Sequence, residues 1–172
     1  PIRYGRMLRS PFTFLRGSAG LMAHDLATTP STNLRVQACG DCHLMNFGLF
    51  ATPERNLVFD INDFDETLPA PWEWDVKRLA ISFAVASRAA GHSDSQARDA
   101  ASECVRAYRE HLRTFSKMSP IQVWYDRVDE RSEVVHVEQD VAVDLRAVER
   151  LHGADQRLHA LVGVERVDLS GI

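Results

Sequence analysis

Apolar positions along this chain change their spacing several times, and each change marks a block. In "RSPFTFLRGSAGLMAHDLA", Ser10 is placed to cap a helix and Pro11 to occupy its first position, with apolar residues following at helical spacing. Gly17 and Gly20 weaken that helix. "STN" at 31–33 punctuates the chain, after which "LRVQAC", "NFGLF" and "NLVFDI" read as short strands. The last two are joined by "ATPER", a turn of hairpin length. From about Trp72 the apolar residues Val76, Leu79, Ala80, Phe83 and Ala84 return at helical spacing, and Gly91 ends that helix. The prolines of "LPAP" stop any element just before it. The longest helical pattern starts near Ser93–Ser95 and stops before Pro120, where "SPIQVWYDRV" repeats the Ser-Pro helix start.

Beyond that point the pattern loosens. "DERSEVVHVEQDVAV" is charged and β-branched and fits either element type. "DLRAVERLHGADQRLHALVG" reads as a weaker helix interrupted by Gly153, and 164–172 as a frayed tail. The expected architecture is α+β and mostly helical, one domain over 1–163 with its motifs concentrated in 6–90. A small β-hairpin sits at the working edge.

Composition removes whole classes of function. With 172 residues, 45% hydrophobic, the chain can bury a core. A net charge of −4 offers no basic footprint for nucleic acid. No apolar run is long enough to span a bilayer, and the N-terminal stretch lacks the apolar centre of a secretory signal. Three cysteines, Cys39, Cys42 and Cys104, do not make a disulfide framework. A cytoplasmic setting is expected.

The chemistry concentrates in "CGDCHLMNFG", residues 39–48. Cys39, Cys42 and His43 match the spacing for covalent haem, with two thiols for vinyl groups and an axial imidazole. A thiol redox site would need its first cysteine at a helix N-terminus, but this segment runs into a strand. Zinc would need a second ligand pair, and no second C-x-x-C exists. The bland reading makes both cysteines buried spacers. The polar residues support another chemistry. Asp41 and Asn46, five apart in a loop, can supply a carboxylate to orient an acceptor hydroxyl and an oxygen ligand for Mg²⁺.

A further carboxylate must then come from a neighbouring strand. "FDINDFDE" supplies Asp60, Asp63 and Asp65, and the hairpin would fold Asp60 back beside Asn46. Acidic runs are usually solvated turns or caps, which suits Asp65 and Glu66. Asp60 is different, because Leu57, Val58, Phe59 and Ile61 surround it with apolar residues and a carboxylate there wants a partner. Asp75 opens the next helix and is expected to cap it, behind the site.

These motifs together, "GDCHLMNFG", "DINDFDE" and "PWEWDVKRLA" with "SPFTFLRG" before them, resemble the bacterial "domain of unknown function 2252" family. More distantly they resemble the aminoglycoside phosphotransferase and choline kinase branch of the protein-kinase-like fold. The resemblance runs from about Arg6 to Ser82. It implies a catalytic lobe with Asp41 as catalytic base, Asn46 as a metal ligand, and Asp60 as principal metal carboxylate with Asp63 as its rival. His43 and Asp75 would be structural. ATP and Mg²⁺ would be the cofactors, and a small molecule bearing a hydroxyl the acceptor. The chain departs from such enzymes in having no G-x-G-x-x-G turn and only two lysines, Lys77 and Lys117, both on expected helices. It therefore reads as a lobe without its nucleotide clamp, incomplete or inactive alone and lacking a complementary lobe. Its "NFGLF" and "PFTFL" segments should then be exposed. The alternatives are a non-catalytic binding or remnant domain and, behind it, a haem or thiol redox protein.

Overall fold

A computed structural model describes residues 2–129 of the chain. The expectations for 130–143, for a helix over 144–163 and for the 164–172 tail lie outside the described residues. Within them the architecture is α+β, with more than half of the residues helical and two small antiparallel sheets.

Helix α1 spans Ile2–Met7, a helix absent from the sequence pattern. Helix α2, Pro11–Gly17, begins as expected: the Ser10 hydroxyl accepts from the Thr13 amide at 3.1 Å, and the Ser10 amide donates to Thr13 Oγ1 at 2.9 Å. One continuous helix was expected here. Instead the chain breaks at Ser18, and α3 runs separately over Ala19–Leu26. Ser18 turns its own amide and hydroxyl onto the Leu15 carbonyl, a local bond that competes with helix continuation.

Strand β1, Arg35–Ala38, has a partner the sequence hid. Residues Leu68–Pro71 form β4, antiparallel to β1, with Arg35 opposite Pro71 and Gln37 opposite Pro69. Two prolines argue against a strand, yet they occupy alternate register positions, where the missing N–H groups need not face β1. The hairpin between them is the expected one. Strand β2, Phe47–Ala51, pairs with β3, Leu57–Ile61, placing Gly48 opposite Asp60 and Phe47 opposite Ile61. A two-residue strand β5, Val128–Asp129, adds to the far side of β3.

Helix α4, Glu73–Ala89, lies against α2 and against α5, Asp94–Phe115, whose Ser93–Gln96 capping box starts it where expected. Helix α6, Pro120–Tyr125, follows its Ser119 cap. The core beneath the loop is made of small and medium residues: Phe12, Leu15, Ala19, Ala38, Ala70, Ala80 and Ala86. Trp72 stacks on Tyr108 at 5.6 Å and fixes the start of α4 against α5. The larger apolar side chains of the hairpin stay outside, Leu49 being 66% exposed and Phe59 44%. In the N-terminal segment Pro11 and Phe14 follow the expected exposure, whereas Phe12 and Leu15 are buried. No helix among the described residues is long and apolar enough to cross a membrane.

Candidate active site

The loop from Cys39 to Asn46 links β1 to β2, and its shape is imposed from outside. Asp75, in the first turn of α4, accepts from the Cys39 amide at 2.7 Å and from the Gly40 amide at 3.1 Å. The expectation that Asp75 caps α4 is therefore corrected. Trp72 is the N-cap residue and gives no side-chain bond, while the Asp75 carboxylate reaches across to clamp two successive loop amides. Bonds to a charged acceptor are stronger than neutral ones, so this clamp sets the loop's register on α4.

Gly40 carries the second constraint. Its φ of 84° is left-handed, and a Cβ at this position would lie 2.0 Å from the Glu66 carbonyl oxygen. The acidic segment after β3 thus crosses directly over the loop. Only glycine allows that approach.

Asn46 ties the two segments together. It is buried, and its amide nitrogen donates to the Asp41 carbonyl at 3.1 Å and to the Asp63 carbonyl at 2.9 Å, with Cys39 Sγ at 3.5 Å. The Asn46 carbonyl accepts from the Asn62 amide at 2.8 Å, extending the β2–β3 ladder by one pair. The structure therefore joins the main chain at Asp41 and at Asp63 through the Asn46 side chain. Asp60 sits further along β3, opposite Gly48, with Oδ1 turned onto the next amide, that of Ile61, at 2.7 Å. Asp63 Oδ1 accepts from the Asp65 amide at 3.0 Å, a local turn that fixes its side chain.

Asp41 itself faces two basic groups. Arg78 Nε donates to its Oδ1 at 2.8 Å, joined by Arg78 Nη2, and His43 Nε2 lies 3.4 Å from its Oδ2. Burial pushes the Asp41 carboxyl upward, but the His43 hydrogen bond and the Arg78 bonds outweigh it and hold the group below the ordinary range. Asp41 is ionised at neutral pH. His43 is 3% exposed, meets the Phe12 ring edge-on at 6.1 Å, and has no hydrogen-bond partner at Nδ1 among the described residues.

The thiols behave as spacers. All three cysteines are free, and Cys39 and Cys42 are buried. Burial raises both thiols, that of Cys42 steeply with help from the Asp75 charge, so neither is an activated nucleophile. With both thiols enclosed and His43 turned onto Asp41, the geometry gives the haem and redox readings no support.

Sequence reasoning missed Arg78 and Asn62. A charged residue three positions after Asp75, on the face where Ser82 and Ala86 are also buried, was the available signal for Arg78. Asn62 fills the space over Gly48, where a Cβ would meet its amide at 2.7 Å.

As for a metal, no group of three or more His, Cys, Asp or Glu side chains among the described residues is placed to hold one. The expected set is two carboxylates and an amide oxygen, of which the structure joins only the main chain of Asp41 and Asp63 to the Asn46 side chain. Its donors are all hard, which fits Mg²⁺ in kind, but they are too few for a closed cage and leave room for phosphate and water oxygens.

The sequence profile of a family described as "Uncharacterized protein conserved in bacteria", DUF2252, matches residues 1–166. The chain belongs to the DUF2252 family. Neither a curated protein nor a solved structure matches it. In this DUF2252 chain the matched segment contains the loop, the hairpin, the acidic crossing and α4, every element from which the site is built.

Proposed function

We propose that this DUF2252 chain carries the catalytic loop of a kinase-like phosphotransferase, which moves a phosphoryl group from a nucleotide to a hydroxyl acceptor. The observation that carries the reading is the Asn46 amide, which bonds the main chain at both Asp41 and Asp63. It spends the amide nitrogen inward and leaves the amide oxygen as the atom of Asn46 able to meet a cation. A loop aspartate and a second aspartate just past the hairpin, their main chains joined through a shared asparagine, are the residue types that phosphoryl transfer needs. Mg²⁺, when bound, would neutralise charge on the phosphates, with Asn46 and Asp63 as the residues to hold it. Asp41 orients the acceptor hydroxyl. Asp63 takes precedence over Asp60, because its main chain is bonded to the Asn46 side chain while Asp60 lies along the strand opposite Gly48 with Oδ1 on the Ile61 amide.

The same arrangement favours weak nucleotide binding by this chain. Lys77 Nζ donates to Thr29 Oγ1 at 2.7 Å and to the Pro30 carbonyl at 3.3 Å, so it serves the 29–30 turn rather than a phosphate. That supports, as second reading, a lobe that binds metal and nucleotide loosely without turnover of its own. Titration calorimetry with MgATP tests both. The expected affinity is millimolar, about −4 kcal/mol, lost in Asp63→Ala and retained in Asp60→Ala. Mg²⁺ and MgATP binding untouched by changes at Asp41, Asn46 and Asp63 would overturn the assignment.

A further inference from the structure

Arg78 is the least expected residue in the molecule. It is 2% exposed, and each of its three guanidinium nitrogens has a partner. Nε and Nη2 hold Asp41 Oδ1, Nη2 also donates to the Leu15 carbonyl at 2.7 Å, and Nη1 points to Met22 Sδ at 3.3 Å. One side chain from α4 thus joins the loop to α2 and α3. A buried guanidinium is costly to desolvate, and an apolar residue of similar volume would fill the same space more cheaply. Simple packing therefore does not account for an arginine here.

We propose that Arg78 is the positioning residue of this site, fixing the Asp41 carboxylate in one orientation from the protein side. Two donors on a planar fork converge on a single oxygen, and the Leu15 carbonyl at the end of α2 stops the fork from rotating. Asp41 keeps part of its surface open, with its side chain 23% exposed, so the group held from behind remains reachable from in front. An acceptor hydroxyl would meet a carboxylate already in place, with no reorganisation left for the moment of reaction. Arg78 itself touches neither nucleotide nor acceptor. The kinetic part of this inference rests on the phosphotransfer reading; the geometric part does not.

The test has two arms. In the first, slow hydrolysis of MgATP, with water as acceptor, is followed for the wild type, Arg78→Lys, Asp41→Asn and the double variant. Lysine keeps the charge but cannot make the fork. Arg78→Lys should lower kcat about 100-fold with KM for MgATP unchanged, and the double variant should be no slower than Asp41→Asn alone. An Arg78→Lys variant with wild-type kcat overturns the proposal. In the second arm, the Arg78 Nε–H resonance is observed by ¹⁵N NMR in wild type and in the near-isosteric Asp41→Asn. A slowly exchanging signal that moves in Asp41→Asn supports the positioning bond. A fast-exchanging or unmoved signal overturns it. If the wild type shows no turnover, the second reading, a lobe without turnover of its own, is the one that stands, and the NMR arm decides the role of Arg78, as it does if Arg78→Lys fails to fold.

Discussion

At the scale of single residues, the Asp41 pair makes stability depend on acid. Its carboxyl is held below the ordinary range in the folded protein, so the unfolded chain takes up a proton first as pH falls. The pair's contribution is complete above the unfolded-state value of about 3.9. It is lost as pH drops through the lower folded value. Urea midpoints measured from pH 7 downward should fall more steeply in wild type than in Asp41→Asn, which lacks the titrating group. Gly40 gives a second expectation. With φ at 84° and the Glu66 carbonyl against the missing side chain, Gly40→Ala must move backbone rather than a flexible side-chain end. A loss of about 2 kcal/mol or more is expected in a denaturation curve. The buried thiols of Cys39 and Cys42 should label slowly in native protein and rapidly in denaturant, with Cys104, half-buried and pushed up to about 11, in between.

At the scale of elements, what could be read from the sequence was whatever local chemistry decides. Ser10, Ser93 and Ser119 each start a helix because the cap and its partner lie three residues apart, and the "ATPER" turn fixes a hairpin between adjacent strands. The misses are long-range. Strand β4 exists because β1 offers it a ladder, which overrides its two prolines, and the α2–α3 break depends on a serine turning back on its own helix. For the site, residue type and spacing named Asp41, Asn46 and Asp75 and put Asp60 first, with Asp63 its rival by resemblance, whereas the fold brings the Asp63 main chain to Asn46 and leaves Asp60 opposite Gly48. The role of Asp75 was misplaced, because nothing local distinguishes a first-turn acid that caps its helix from one that reaches across to a loop. Arg78 escaped because a charge on a helical stripe reads as solvent-facing until its partner, 37 residues away, is known. Replacing Asp75 with alanine should cost about 3 kcal/mol and speed hydrogen exchange at the Cys39 and Gly40 amides first.

Across the described residues taken together, the distribution of apolar groups is uneven. The interior under the loop is built largely from alanines and short side chains, while Leu49, Phe50, Leu57 and Phe59 stand partly or mostly in solvent on the hairpin. Apolar groups gathered on one sheet promote self-association. Leu49→Ser should leave the melting temperature nearly unchanged, since a side chain 66% exposed contributes little to folding. It should lower light scattering at high protein concentration. Equal scattering in both proteins would show that the hairpin is not the sticky surface.

The clamp of Asp75 on the loop amides also carries a consequence in time. Its bonds join residues 36 and 35 apart, and the Arg78–Asp41 pair spans 37. Neither the clamp nor the ion pair can form on a shorter stretch of chain, so a growing polypeptide lacks both until α4 has been made and has docked. Contacts of this length close late, after local helices and the hairpin have formed. In a stopped-flow chevron, Asp75→Ala should speed unfolding far more than it slows folding, the mark of a site completed on the downhill side of the barrier.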